Sequence, residues 1–122
     1  MLEQVLAAVH RFHKVYWCPV GEKYTPGSQT DFLRHRLLEE EWLEYDDAWA
    51  GSNPEAQLDA LCDMIYIILG TAVAYGWDIT EAFERVHETN MKKRHNGTVQ
   101  KRDDGKIIKP DGWRAPVMKD LV

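Results

Sequence analysis

Hydrophobic positions recur every three to four residues through the first three quarters of the chain, a spacing that predicts four helices. Val5, Leu6, Val9, Phe12 and Tyr16 mark the first, expected from Leu2 to Tyr16 and stopped at Trp17-Cys18-Pro19. The segment from Trp17 to Gln29 contains Pro19, Gly21, Pro26 and Gly27, and reads as a loop long enough to be either a lid or a plain connector. Ser28 or Thr30 caps a second helix from Asp31 to Ala50, closed by Gly51-Ser52-Asn53-Pro54. A third runs from Glu55 to Tyr75 and ends at Gly76, where glycine accepts the left-handed cap conformation. A fourth starts at Asp78, with Glu81 three residues on as in a capping box, carries Ile79, Ala82, Phe83 and Val86 on one stripe, and fades near His95-Asn96-Gly97. Beyond Thr98 the periodicity is lost, and Asp103-Asp104-Gly105-Lys106 forms a hairpin-type turn signal between short β-capable stretches. The expectation is an all-α, four-helix bundle with an irregular C-terminal tail containing a short hairpin-like turn. It forms a single domain over residues 1–122, with a helical body over 2–95 and a tail over 96–122.

Carboxylates interrupt this pattern. With about 100° per residue and Glu40 set at zero, Leu33, Leu37, Ala48, Tyr45 and Leu38 span an apolar arc from about 20° to 160° on the second helix. Glu44, near 40°, and Glu41, near 100°, fall inside that arc with Glu40 at its edge, while Glu39 looks outward and Asp47 lies one turn beyond Glu44. On the third helix the stretch from Ala60 to Trp77 is apolar on every side except for Asp63, and Asp59 sits one turn earlier. Buried carboxylates must be compensated by protonation, by internal Lys or Arg, or by bound cations. Five acids face only Arg36 and Lys93 as bases on the neighbouring stripes, and all-oxygen donors suit Mg²⁺ or Mn²⁺, so a hard-cation site is expected between the second and third helices. Asn90 and Lys93 extend the inward stripe of the fourth helix. His10 and His13 are three apart, but such a helical pair is more often surface or packing than a metal site.

Composition narrows the field. At 122 residues with 44% hydrophobic and 29% charged content, the chain matches a folded globular domain and excludes disordered and disulfide-scaffold classes. The longest charge-free apolar stretch, Met64 to Trp77, is shorter than the roughly 20 residues a membrane span needs, so no membrane role is expected. Two cysteines, Cys18 and Cys62, and an N-terminus without a signal pattern point to a reduced, cytoplasmic setting. The net charge of −5 is uneven: residues 1–91 hold 6 Lys/Arg against 16 Asp/Glu, and residues 92–122 hold 9 against 4. The basic tail suits a phosphorylated ligand, while the acidic body argues against nucleic acid.

Leu37-Leu38-Glu39-Glu40-Glu41-Trp42-Leu43-Glu44 resembles the Glu-Glu-x-x-Glu helix of MazG-type all-α nucleoside triphosphate pyrophosphohydrolases. Phe12-His13, Asp63-Met64-Ile65-Tyr66 through Gly70-Thr71-Ala72, Val86-His87-Glu88-Thr89-Asn90-Met91-Lys92-Lys93, and Asp104-Gly105-Lys106-Ile107-Ile108-Lys109-Pro110-Asp111-Gly112-Trp113 resemble the phosphoribosyl-ATP pyrophosphohydrolase-like branch. The resemblance implies Mg²⁺-dependent cleavage of a (d)NTP or related nucleotide to monophosphate and pyrophosphate, with Mn²⁺ as an alternative ion. It also implies Glu41, Glu44 and Asp63 as metal ligands, joined by Asp59 and Glu40, and Glu40 and Glu41 as the catalytic carboxylates. Asn90, Lys93, Lys106, Lys109, Arg36 and Trp113 are the expected substrate contacts. One departure is Ala60, where the superfamily pattern of Glu-x-x-Asp before Asp63 has an acid; it leaves a non-catalytic metal- or nucleotide-binding regulatory module as the alternative. An all-apolar third helix, like the resemblance, implies a homodimer or dimer of dimers.

Overall fold

Three of the four helices begin where a polar side chain takes over an orphan backbone N–H. In the computed structural model, which describes residues 1–122, α1 spans Leu2–Val15, α2 Gln29–Ala50, α3 Pro54–Tyr75 and α4 Ile79–Asn90, followed by a short 3₁₀ turn at Lys119–Leu121 that the sequence did not announce. Ser28 accepts from the Asp31 N–H, Asn53 from Ala56 and Asp78 from Glu81, each at 3.1 Å. Because Ser28 rather than Thr30 is the cap, α2 starts two residues earlier than expected, and the buried Thr30 hydroxyl donates instead to Glu22 at 2.6 Å. Gly76 ends α3 in the left-handed conformation, φ 66°. The molecule is all-α, and the tail holds only isolated antiparallel bridges, His95 to Thr98 and Lys101 to Ile107. The hairpin-like turn is present between the latter pair, closed by Arg102 N–H to Lys106 O within one arm pairing and by Asp104 accepting from the Arg102 guanidinium.

The chain divides into two compact units, Met1–Trp77 and Asp78–Val122. The division falls before α4, earlier than the body–tail boundary expected at 95/96, because the partners of α4 lie in the tail. Arg85 donates to Val117 O and to both oxygens of Asp120, and the Trp113 indole N–H donates to Thr89 O at 2.6 Å.

In the first unit α3 packs against α1 and α2. Its core joins Val9 and His13 of α1, Thr30, Arg34 and Ala48 of α2, and Ala60 with Leu69–Tyr75 apart from Thr71 on α3. The Trp17–Gln29 segment is tied to the end of α3 by Gly21 N–H to Val73 O and Glu22 N–H to Ala74 O, with Tyr24 edge-on to Tyr75, so it serves as a fastened connector. The expectation that α3 is buried all round holds only for its C-terminal part, since Leu58, Leu61, Ile65 and Ile68 are exposed. By length and apolar composition alone α3 would pass for a membrane-spanning helix, contrary to the reading from its charge-free stretch. Asp59 and Asp63 within it, and the burial of its C-terminal part against neighbouring helices, are the features of a core helix.

Candidate metal centre

The buried face of α2 follows Thr30, Arg34, Leu37, Glu41, Tyr45 and Ala48, all buried or half-buried and spaced by three or four residues. Glu41 therefore stands in the middle of the stripe that meets α3. α2 and α3 are joined by only Gly51–Asn53 and run antiparallel as a helical hairpin, which brings Asp63 opposite Glu41. Oxygen atoms of Glu41, Glu44 and Asp63 all lie within 4.8 Å of one another. Glu41 Oε2 is buried and has no hydrogen-bond partner. Burial first, then the negative charges of Glu44 and Asp63, push the Glu41 carboxyl above the usual carboxylate range, with a smaller contribution from Glu40.

Two expectations need correction. Of the three acids expected to point inward, only Glu41 is half-buried; Glu44 and Glu40 are exposed. The buried stripe is centred on Glu41 and runs from about 60° to 140° on the wheel, so Glu44 sits at its margin and Glu40 outside it. Asp59 is also exposed and lies outside the trio, lining a shallow depression with Asn53, Glu55 and Cys62, because the small Ala60 takes the buried position against α2. Arg36 is exposed on α2.

The other expected contacts belong to the second unit. Asn90 is the exposed last residue of α4, and Lys106 is exposed in the turn, its backbone N–H bonded to Asp104. The ammonium groups of Lys93 and Lys109 both lie over the Trp113 ring, 5.1 and 4.6 Å from its centroid. Of the two histidines on α1, His13 is buried with Nδ1 2.8 Å from Pro19 O, a packing role, and neither joins the carboxylates. Sequence reasoning missed Arg34. Seven residues before Glu41 and on the same stripe, its guanidinium is buried and donates to Ile67 O at 2.7 Å and to Thr71 Oγ1 at 3.1 Å. The helical period already placed it inside; charge alone argued for the surface.

The donor set fits a hard divalent ion. It is all oxygen, one oxygen is orphaned and buried, and no Lys or Arg forms an ion pair with any of the three carboxylates. A family model for phosphoribosyl-ATP pyrophosphohydrolase matches residues 9–90, which include all of α2, α3 and α4. The chain belongs to this family. It is accordingly a nucleotide pyrophosphohydrolase, a hydrolase acting on phosphoric anhydride bonds, in a family that is generally metal-dependent. Comparison with curated proteins finds no match. The family match covers the whole carboxylate trio and Asn90, whereas Lys93, Lys106, Lys109 and Trp113 lie past its end.

Proposed function

We propose that this pyrophosphohydrolase is Mg²⁺-dependent, with Mn²⁺ as a substitute, and cleaves a (d)NTP or related nucleotide to the monophosphate and pyrophosphate in the cytoplasm. The observation that carries the reading is the Glu41–Glu44–Asp63 trio with its unpartnered buried oxygen. These three residues would hold the ion, with Glu40 and Asp59 at the margin of the site. A bound divalent ion supplies charge neutralisation for the polyphosphate and an acidified water. Glu40, exposed beside Glu41, takes the role of proton acceptor for the water attacking phosphorus, and Glu41 orients that water. Arg36 in the first unit and Asn90, Lys93, Lys106 and Lys109 in the second are each suited by their chemistry to phosphate or ribose oxygens; Lys93 and Lys109 have no carboxylate partner that would compete for them. Trp113 holds these two lysines over its ring. The exposed apolar side chains of α2 and α3 favour a homodimer or dimer of dimers.

Pyrophosphate release from a nucleotide panel with Mg²⁺ or Mn²⁺ tests the reading. Glu41→Gln and Asp63→Asn are expected to lower turnover by about a hundredfold or more. Undiminished activity in both would refute the assignment.

A further inference from the structure

Arg34 is one of three polar or charged residues buried in the structure, and it has no carboxylate partner. Desolvation lowers the pKa of its guanidinium, so the group sits there at a cost. Its hydrogen bonds all cross from α2 to α3. Nη2 donates to Ile67 O and Nε donates to Thr71 Oγ1, while the Thr71 hydroxyl itself donates to Ile67 O at 3.1 Å. The guanidinium thus grips one turn of α3 at two adjacent acceptors, a fork that a single-point donor cannot reproduce.

The place it grips matters. Arg34 precedes Glu41 by seven residues, and Gly70 follows Asp63 by seven, so in an antiparallel pair the Arg34–Gly70 crossing and the Glu41–Asp63 crossing are one register. Gly70 is the second half of the device: a Cβ there would fall onto Arg34 Nη2 and lie 2.9 Å from His13 Nε2. The absence of a side chain at position 70 is what leaves room for the guanidinium against α3. Two turns separate this crossing from the carboxylates, about 10 Å along the helix, with no loop between. Sliding α3 by a fraction of an ångström would shift Asp63 against Glu41 and Glu44 by the same amount.

We propose that Arg34, seated over Gly70, is a positioning residue that sets the α2–α3 register and thereby the spacing of the Glu41–Glu44–Asp63 trio for divalent-ion binding. The inference rests on the trio being the metal centre. Calorimetric titration of the full chain with Mn²⁺, well below its unfolding temperature, tests it alongside thermal unfolding of the ion-free protein. Arg34→Met, which removes the charge and its desolvation cost together, is expected to keep the helical circular dichroism and the unfolding midpoint but to bind Mn²⁺ about tenfold more weakly. Arg34→Lys is expected to fall between it and the wild type, and Gly70→Ala, which displaces the guanidinium without removing it, to weaken binding as well. A purely structural role would lower the midpoint and leave the affinity of the folded protein unchanged. Wild-type Mn²⁺ affinity in folded Arg34→Met overturns the proposal. Should that variant not fold, Thr71→Val decides: it leaves Arg34 in place but removes the acceptor of its Nε–H, together with the hydroxyl's own bond to Ile67 O, and unchanged affinity overturns the register clamp. Glu41→Gln separates the two levels. Loss of Mn²⁺ binding in Glu41→Gln with full binding in Arg34→Met defeats the clamp alone, whereas full binding in Glu41→Gln defeats the metal centre and the clamp with it.

Discussion

Glu41 is held among like charges with one buried oxygen unsatisfied, so in the ion-free protein its ionised form works against folding. A carboxyl whose folded pKa is raised binds its proton more tightly in the folded state, and its penalty is present above the folded value and vanishes as pH falls through it. Glu41→Gln is therefore expected to raise the stability of the ion-free chain at pH 7 while abolishing divalent-ion binding; urea midpoints with and without Mn²⁺ measure both. His13 has the opposite dependence. Burial holds its imidazole below the ordinary histidine value despite the Pro19 carbonyl, and the positive charge of Arg34 adds to the effect. The unfolded chain then binds more protons between the two values, so stability falls as pH drops below about 6.5. Urea midpoints at pH 7.5 and 5.5 are expected to converge in His13→Gln. Glu41 was legible because the helical period placed it inside the apolar arc of α2, and Asp63 because it is the one charge in an otherwise apolar stretch of α3. The His13–Pro19 bond was not, because it forms only when the Trp17–Gln29 segment closes back over α1, and no local pattern records that closure. Arg34 shared the stripe with Glu41 and was passed over because its acceptors are a carbonyl and a hydroxyl on another helix, invisible to charge counting.

Helix boundaries were the most legible feature, since caps are local chemistry. Asp78 before Glu81 and Gly76 after Tyr75 each act where expected, while Asn53, read only as part of the closure of α2, is also the cap of α3. Asn53→Ala is expected to cost about 1 kcal/mol by leaving the Ala56 N–H without its partner. Gly76→Ala should cost at least as much, for two reasons: φ is 66°, and the added Cβ would stand 3.3 Å from Gly21 Cα, where the connector fastens to the end of α3. Thermal unfolding of the two variants gives the order. The burial of α2 was harder to foresee, because exposed Leu33 and Leu38 widened the apparent apolar arc and carried Glu44 into it. The narrower true stripe depends on how closely α3 approaches, and that is set by Ala48, Ala60 and Gly70, residues too small to register as hydrophobic signals.

At the scale of the whole molecule, the first unit leaves apolar surface without cover. Leu58, Leu61, Ile65 and Ile68 form a row on α3 spaced by three, four and three residues, each 42% exposed or more. Leu38 and Trp42 flank them on α2, and between the helices lies an open groove of about 370 Å³ lined by His35, Leu38, Glu39, Trp42, Met64 and Ile68. Rows at this spacing on two adjacent antiparallel helices match the seam that one helical hairpin presents to another, so a second copy of the same hairpin is the simplest cover. The rim carries the polar His35 and Glu39 one turn apart on α2, an arrangement compatible with a two-fold contact. The expected outcome is a dimer at micromolar concentration in sedimentation velocity, converted to monomer by Ile65→Lys, since a charge buried in such a seam costs several kcal/mol. Ile65 is four residues from Leu61 and only two from Asp63, so the same variant also reports whether assembly and ion binding are coupled: an unchanged Mn²⁺ affinity in the monomer would make each centre self-sufficient, and a monomeric wild-type chain would reject this seam as an interface.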